Sequence, residues 1–372
     1  MVGMISKEAR YNSASTGANT GPRIAADTGS AHRGLFGVPV QRWRQLTQTG
    51  FFILFIIAPI FDLFRLDLHL GHFIFLGMDW TLGLDDFSKG GMSAGQAALN
   101  ILLRAFLPLL SVGAALIFVS WKWGRLYCGW LCPHFSIVET INQTLRKAIG
   151  KQSIWDAEQM SERNADGSVT KPDAIWWFGV IPLVIACSIL WAVVLLTYLL
   201  PPSEIYPNIW HWTLTRNQSI FLTAASIAFF VEFMFARHLF CRYACAVGLF
   251  QSLAWMGNDK AMVVGFERER AKDCATCFSA CDNVCPMRLH PRNVKRMMFA
   301  CVQCGQCVDA CTHTQTDNAN GELLGWVNHV RAESEAALNG SRAMTIQLKL
   351  IHDDDAKDVN ADGAQTNSQQ PS

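Results

Sequence analysis

Residues 274–311 read CATCFSACDNVCPMRLHPRNVKRMMFACVQCGQCVDAC, and eight of the chain's thirteen cysteines fall inside that stretch. They form two quartets. Cys301, Cys304, Cys307 and Cys311 have the regular C-x2-C-x2-C-x3-C spacing. Cys274, Cys277, Cys281 and Cys285 read C-x2-C-x3-C-x3-C and are followed by Pro286. Runs of this kind hold 4Fe-4S cubes: three close thiolates ligate one cube and the fourth crosses to the other. The predicted wiring is Cys274, Cys277, Cys281 and Cys311 on one cluster, and Cys285, Cys301, Cys304 and Cys307 on the second. Thiolates suit iron because they are soft, strongly donating ligands. The extra residue between Cys277 and Cys281 predicts a local bulge, and Thr312 stands where a second proline would be regular. Zinc and disulfides are the competing uses of such cysteines. Zinc takes four thiolates per ion, usually from separated C-x2-C pairs, and disulfides need an oxidising compartment.

Outside that stretch the 372-residue chain is apolar: 51% of its residues are hydrophobic and 16% charged, against about 25% charged in soluble domains. A net charge of +1 gives no electrostatic case for a nucleic-acid partner. A helix needs about 20 apolar residues to cross a hydrocarbon core. Four spans are predicted, roughly over 48–64, 97–120, 175–200 and 218–240. The third contains no charged residue at all, while the first has Pro59 and Asp62 near its end. Buried globular helices are the alternative for each.

Loop charges orient these spans. Lys and Arg gather in residues 1–47 and 122–174, whereas 65–96 and 201–217 hold only Arg65, Lys89 and Arg216. The positive-inside rule then puts both termini and the cysteine quartets on the cytoplasmic side. Trp121, Trp123, Trp176, Trp177, Trp210 and Trp212 lie near span ends, as interface anchors do. Residues 1–47 lack the apolar core of a secretory signal. The fold class expected is an all-α integral membrane bundle of about four transmembrane helices with a cytoplasmic two-cluster ferredoxin-like α/β domain. Its parts would be a polar cytoplasmic segment, 1–47; a four-helix membrane domain, 48–255; a bacterial-type two-cluster ferredoxin domain, 256–316; and a polar tail, 317–372. That tail carries the acidic run Asp353, Asp354 and Asp355 and is expected to be disordered.

A second cysteine pattern occurs twice. Leu126-Tyr127-Cys128-Gly129-Trp130-Leu131-Cys132-Pro133 follows the second span, and Leu239-Phe240-Cys241-Arg242-Tyr243-Ala244-Cys245-Ala246 follows the fourth. Each is a C-x3-C motif leaving an apolar helix, which reads as an internal duplication. In a helical turn, an i,i+4 pair puts both sulfurs on one face. Cys128, Cys132, Cys241 and Cys245 are thus a second candidate metal site, for copper(I) or another thiophilic ion, or a pair of redox dithiols. Inert buried thiols are the plainer reading, and the one adopted for Cys187 inside the third span.

GRLYCGWLCP, CRYACAVGLFQS and CPMRLHPRNVKRMMFACVQCGQC resemble the membrane-bound polyferredoxins of the cytochrome c oxidase accessory family (CcoG, FixG or RdxA type) and the NapH-type subunits. The resemblance covers about residues 35–315. It implies electron transport through two 4Fe-4S clusters in the bacterial inner membrane. By resemblance the eight cysteines of 274–311 are the cluster ligands, and Cys128, Cys132, Cys241 and Cys245 the membrane-proximal pairs. Copper is the further cofactor implied, with cupric reduction in oxidase assembly as the activity and assembly factors as partners. The NapH side implies instead a quinol dehydrogenase subunit serving a periplasmic reductase, with quinol or a redox protein as partner. A third possibility is a non-redox assembly scaffold. Three departures stand out. Ala246 and His134 replace a usual proline and amide, and the further span and periplasmic domain of the accessory branch are not expected after residue 315.

Four smaller features complete the reading. Arg104 and Glu232, both inside spans, are expected to pair, because unpaired charge in a bilayer is costly. Arg237 is expected to snorkel to the interface. His69 and His72 form a pair on the outer loop that would bind a metal, haem or quinone, or simply face solvent. Arg288, Arg292, Lys295 and Arg296 surround the quartets with positive charge, which would raise a cluster potential or offset the cluster's own charge.

Overall fold

The computed structural model describes residues 39–84, 87, 90–157 and 159–337. Three helices are long and apolar enough to cross a membrane: α2 (Ala94–Trp123), α5 (Ala174–Thr197) and α7 (Arg216–Ala236). The sequence reading expected four. The helix that falls short is α1 (Val40–Ile57), whose first half carries Arg42, Arg44, Gln45 and Gln48. Its apolar second half lies against α5, with Phe52 and Phe55 ring centroids 5.9 and 5.1 Å from Trp191. The polar half avoids lipid by packing on α4 (Pro133–Ile149). It therefore needs no apolar surface there.

The duplication is visible in the local chemistry. α2 begins with a capping box in which the Ser93 side chain accepts from Gln96 N–H and the Gln96 side chain accepts from Ser93 N–H. α7 begins with the same device from Thr215 and Gln218. Such boxes satisfy the orphan amides of a helix start without lipid or water. After each span comes a short turn bearing the first cysteine of the motif, α3 (Leu126–Trp130) and the π-helical turn Phe240–Ala244. The second cysteine then caps the next helix: Cys132 caps α4 and Cys245 caps α8 (Ala246–Met256). Both caps are extended, with ψ of 115° and 107°.

α4, α5 and α7 share one core, built by Ile137, Val138, Ile141 and Leu145 with Val180, Val184, Trp191 and Phe233. α8 lies on α2. At the end of the bundle away from the cysteines, strands β1 (Phe64–Asp67), β2 (His72–Phe75) and β3 (Met78–Trp80) form an antiparallel meander. β1 docks on the end of α5, where Leu66 and Leu68 N–H donate to Tyr198 and Leu199 carbonyls. The short helix α6 (Pro202–Trp210) adds His69 Nε2 to Glu204 at 3.2 Å. Trp210 and Trp212 are exposed at this end, and Trp121 and Trp176 at the other.

The cysteine unit is held together by β4 (Val263–Phe266), paired antiparallel with β5 (Leu324–Val327). Between them lie α9 (Ala280–Asn283) and α10 (Gln306–Thr314), and α11 (Val330–Ala337) closes the unit against β4. The reading of 317–372 as disordered is corrected here for 324–337. β5 supplies the second strand and Ala332 is fully buried. The acidic run lies outside the described residues.

Two charge pairings also differ from expectation. Arg104 does not reach Glu232: its Nη1 donates to Thr81 O at 3.4 Å, beside Gly83, where a Cβ would stand 2.7 Å from it. Glu232 takes His134 Nε2 at 3.2 Å. Arg237 is 1% exposed and does not snorkel, because the chain turns inward at its φ of 40°.

Candidate functional site

Cys274, Cys277, Cys281 and Cys311 line one small cavity, with Phe266, Arg292, Leu323 and Leu324. Cys285, Cys301, Cys304 and Cys307 line a second, with Met287, Leu289, Met298 and Val302. In each case three neighbours in sequence are joined by one cysteine from the other quartet. The exchange follows from α9 packing beside α10, which carries Cys281 next to Cys311. The irregular spacing of the first quartet is absorbed at Phe278 and Ser279, both left-handed with φ of 50° and 54°. That two-residue bulge leaves Phe278 exposed, under the Arg163 guanidinium at 5.1 Å.

The chemistry of these cavities is one-sided. Their walls are apolar, and burial pushes the Cys274 thiol up to about 11 and those of Cys301 and Cys304 up to about 12. Buried sulfurs of this kind ionise only against a bound cation. Backbone N–H groups already point at two of them: Leu289 donates to Cys285 Sγ at 3.3 Å and Leu323 to Cys311 Sγ at 3.4 Å. Among the described residues no three His, Cys, Asp or Glu side chains stand close enough to hold a single ion. Four-thiolate zinc would draw its sulfurs to about 2.3 Å from one ion. Three thiols from one quartet and one from the other, in an apolar wall, are the donor set of a 4Fe-4S cube. All thirteen cysteines are free in this structure.

The four C-x3-C cysteines come together on the bundle side of the second cavity. Cys128 and Cys241 are buried in one core with Cys285 and Cys304, and Cys132 packs against it. Cys245 lies within electrostatic reach of Cys128 and Cys132. The contact between motif and cavity is backbone to backbone. A Cβ on Gly129 would sit 2.1 Å from Val302 O, and Trp130 Nε1 donates to Gln303 O at 3.0 Å. On the other side, Gln41 Nε2 donates to Cys304 O at 3.0 Å. Arg44 donates to both carboxylate oxygens of Glu139, at 2.9 and 2.6 Å, and Gln306 donates to the same carboxylate. This polar lattice ties α1 and α4 to the loop carrying Cys304. It was not anticipated from sequence, in which Arg44 and Glu139 lie 95 residues apart.

The remaining sequence candidates separate. His69 and His72 do not converge: one pairs with Glu204 and the other with Asp79, at 3.1 Å. Lys295 is buried and donates to the Trp255 and Asn258 carbonyls, while Arg288 pairs with Asp156 at 3.1 Å. Of the cations around the quartets, Arg292 is the one that lines a cysteine cavity. His134, following the first motif, lies among Trp191, Phe233 and Phe240.

A family model described as a 4Fe-4S binding domain matches residues 105–152 and 219–261, which are the two span-plus-motif repeats. The chain is 29% identical to protein RdxA of Cereibacter sphaeroides over 228 residues, covering 55% of this chain and 44% of that one. It is 20% identical to the ferredoxin-type protein NapH of Haemophilus influenzae over 279 residues, covering 72% and 85%. The putative electron transport protein YccM of Escherichia coli is 23% identical over 243 residues, covering 61% and 57%. The chain thus spans less than half the length of RdxA and most of NapH. No solved structure matches it. Repeats, cysteine cavities and relatives point the same way: the chain carries two segments that match a 4Fe-4S binding domain and is similar to membrane-associated 4Fe-4S proteins of the RdxA and NapH type.

Proposed function

We propose that this protein carries electrons through two 4Fe-4S clusters, held by Cys274, Cys277, Cys281 and Cys311 and by Cys285, Cys301, Cys304 and Cys307, to a redox partner at the membrane. The observation that carries this reading is the pair of four-cysteine cavities, the second of which abuts the first C-x3-C motif through Gly129 and Val302. When bound, the cubes supply one-electron storage on thiolate-held iron. The protein's own groups set the conditions for it. Leu289 and Leu323 N–H groups stabilise negative charge on Cys285 and Cys311, Arg292 does the same from the wall of the first cavity, and the Met and Leu side chains exclude water.

The proposal puts the cysteine unit in the cytoplasm and the bundle in the bacterial inner membrane, and the charge distribution of the loops supports that orientation. Cupric ion as electron acceptor during oxidase assembly, or quinol as electron donor, extends the proposal by resemblance. Electron paramagnetic resonance of the dithionite-reduced protein tests the core of it. Cys285→Ala and Cys311→Ala are each expected to remove a different 4Fe-4S signal. An unchanged spectrum from either variant refutes the wiring, and zinc recovered in place of iron and labile sulfide refutes the function.

A further inference from the structure

Cys128 and Cys241, one from each C-x3-C motif, flank a buried cation that forms no ion pair among the described residues. Arg125 is 0% exposed. Its Nη2 donates to Cys241 O at 2.7 Å and lies 4.0 Å from Cys128 Sγ, while Nε and Nη1 have no partner. Space is kept for it: a Cβ on Gly248 would stand 2.0 Å from Nη2. A guanidinium stays charged in any protein environment, and a buried charge is retained only when something compensates it. Gln251 adds to the imbalance. It is 1% exposed, its Oε1 is 3.9 Å from Cys128 Sγ and its Nε2 is unpaired. Three buried N–H-bearing nitrogens therefore lack an acceptor beside Cys128 and Cys241, and a free thiol is neutral at pH 7.

Ligation changes that balance. Each thiol that bonds a metal gives its proton to solvent and becomes an anionic acceptor, so ligation at Cys128 and Cys241 would serve Arg125 and Gln251 at once. The chain brings two cysteines from each repeat, the donor set of a cube, and no three of them are close enough for a single ion. The 4Fe-4S family match covers these four cysteines and none of the eight in 274–311. We propose that Cys128, Cys132, Cys241 and Cys245 hold a third iron–sulfur cube, with Arg125 as its buried counter-charge, next in line to the Cys285–Cys301–Cys304–Cys307 site. This rests on the two-cluster reading and adds to it. One electron leaving the second centre would reduce the third, across the Gly129–Val302 contact, and no further reactant is needed.

Iron and acid-labile sulfide counted on the anaerobically purified full chain, together with electron paramagnetic resonance after dithionite reduction, decide the matter. About twelve iron atoms per chain are expected rather than about eight. Cys128→Ser/Cys241→Ser, and separately Cys245→Ser at the less buried position, should each lose about a third of the iron and one signal. The signals removed by Cys285→Ala and Cys311→Ala should remain. About eight iron atoms, unchanged in these serine variants, would overturn the third site and leave the two-cluster reading intact. Stoichiometric copper or zinc lost in the same variants would also overturn it. Iron far below eight would instead sink the two-cluster reading. Arg125→Gln should retain the iron and lower the midpoint potential of the third signal, and Arg125→Lys should restore most of the shift. An unchanged potential in Arg125→Gln removes the counter-charge role.

Discussion

Glu139→Leu is the perturbation whose cost the structure specifies best. Arg44 is 1% exposed, and its guanidinium has both terminal nitrogens on the Glu139 carboxylate, at 2.9 and 2.6 Å. The other contact of those nitrogens is a long one, Nη1 to Gly129 O at 3.4 Å. Removing the carboxylate therefore leaves a buried, unpaired cation, which costs roughly 3–5 kcal/mol. Replacing both residues, Arg44→Leu/Glu139→Leu, removes both charges, and a buried pair exchanged for apolar side chains is near neutral. Both variants deprive Gln48 and Gln306 of their acceptor, at about 1 kcal/mol each, so that cost cancels between them. The double variant should therefore be about 3–5 kcal/mol more stable than Glu139→Leu alone. Equilibrium unfolding in mixed detergent micelles, followed by tryptophan fluorescence, gives the numbers. Visible iron–sulfur absorbance run in parallel should fall early in Glu139→Leu, because the same lattice holds Cys304 through Gln41. A single variant costing under about 1 kcal/mol, or a double variant no better than the single, would refute the claim that this pair anchors α1.

Three further outcomes are expected. Gly129→Ala drives a methyl into a backbone carbonyl that cannot swing aside. It should cost about 1–3 kcal/mol and weaken retention of the second cluster before the first; equal loss of both, read from the resonance spectrum, would count against the contact. Burial, with Arg237, Arg288 and Arg242 nearby, holds His238 down to about 4 from 6.5. The unfolded chain then binds a proton that the folded one refuses between those values, so stability falls as pH drops from 6.5 towards 4. The loss is about 2 kcal/mol by pH 5. His238→Gln should flatten that part of the melting-versus-pH curve; a slope as steep as wild type would show that another group is responsible. Opening the outer clasp with Asp67→Asn, which weakens the buried Arg65 pair at 2.7 Å, should loosen the β1–β3 cap in hydrogen exchange without changing iron content. Loss of iron there would contradict the separation of the two ends.

Much of the site was legible because its information is local. Ligand triplets sit within a few residues of one another, so a short loop can wrap a cube and the spacing alone carries the chemistry. The same holds for the C-x3-C turns and for the uncharged run that becomes α5. Less legible was α1. An apolar tally over 48–64 suggested a fourth span, yet its polar half finds α4 as solvent, and no window average can register a partner about 90 residues away. Arg104 and Glu232 looked like a pair because both are charged and both lie in apolar helices. Each found a nearer group, a carbonyl for one and His134 for the other. A stronger signal was available and missed: arginine immediately before the first motif and glycines at 129 and 248, small residues where bulk would be expected in helices.

Chemical identity and periodicity, which act over a turn or a loop, were enough to name the metal, the membrane and the duplication. Distance in space was not encoded that way. Gln41 and Cys304 meet across 263 residues, β5 completes a strand pair with β4 from what read as a polar tail, and Arg125 reaches the Cys241 carbonyl only when two repeats fold together. Such contacts depend on which surfaces exclude water from each other, and packing chooses them only once the whole chain is assembled.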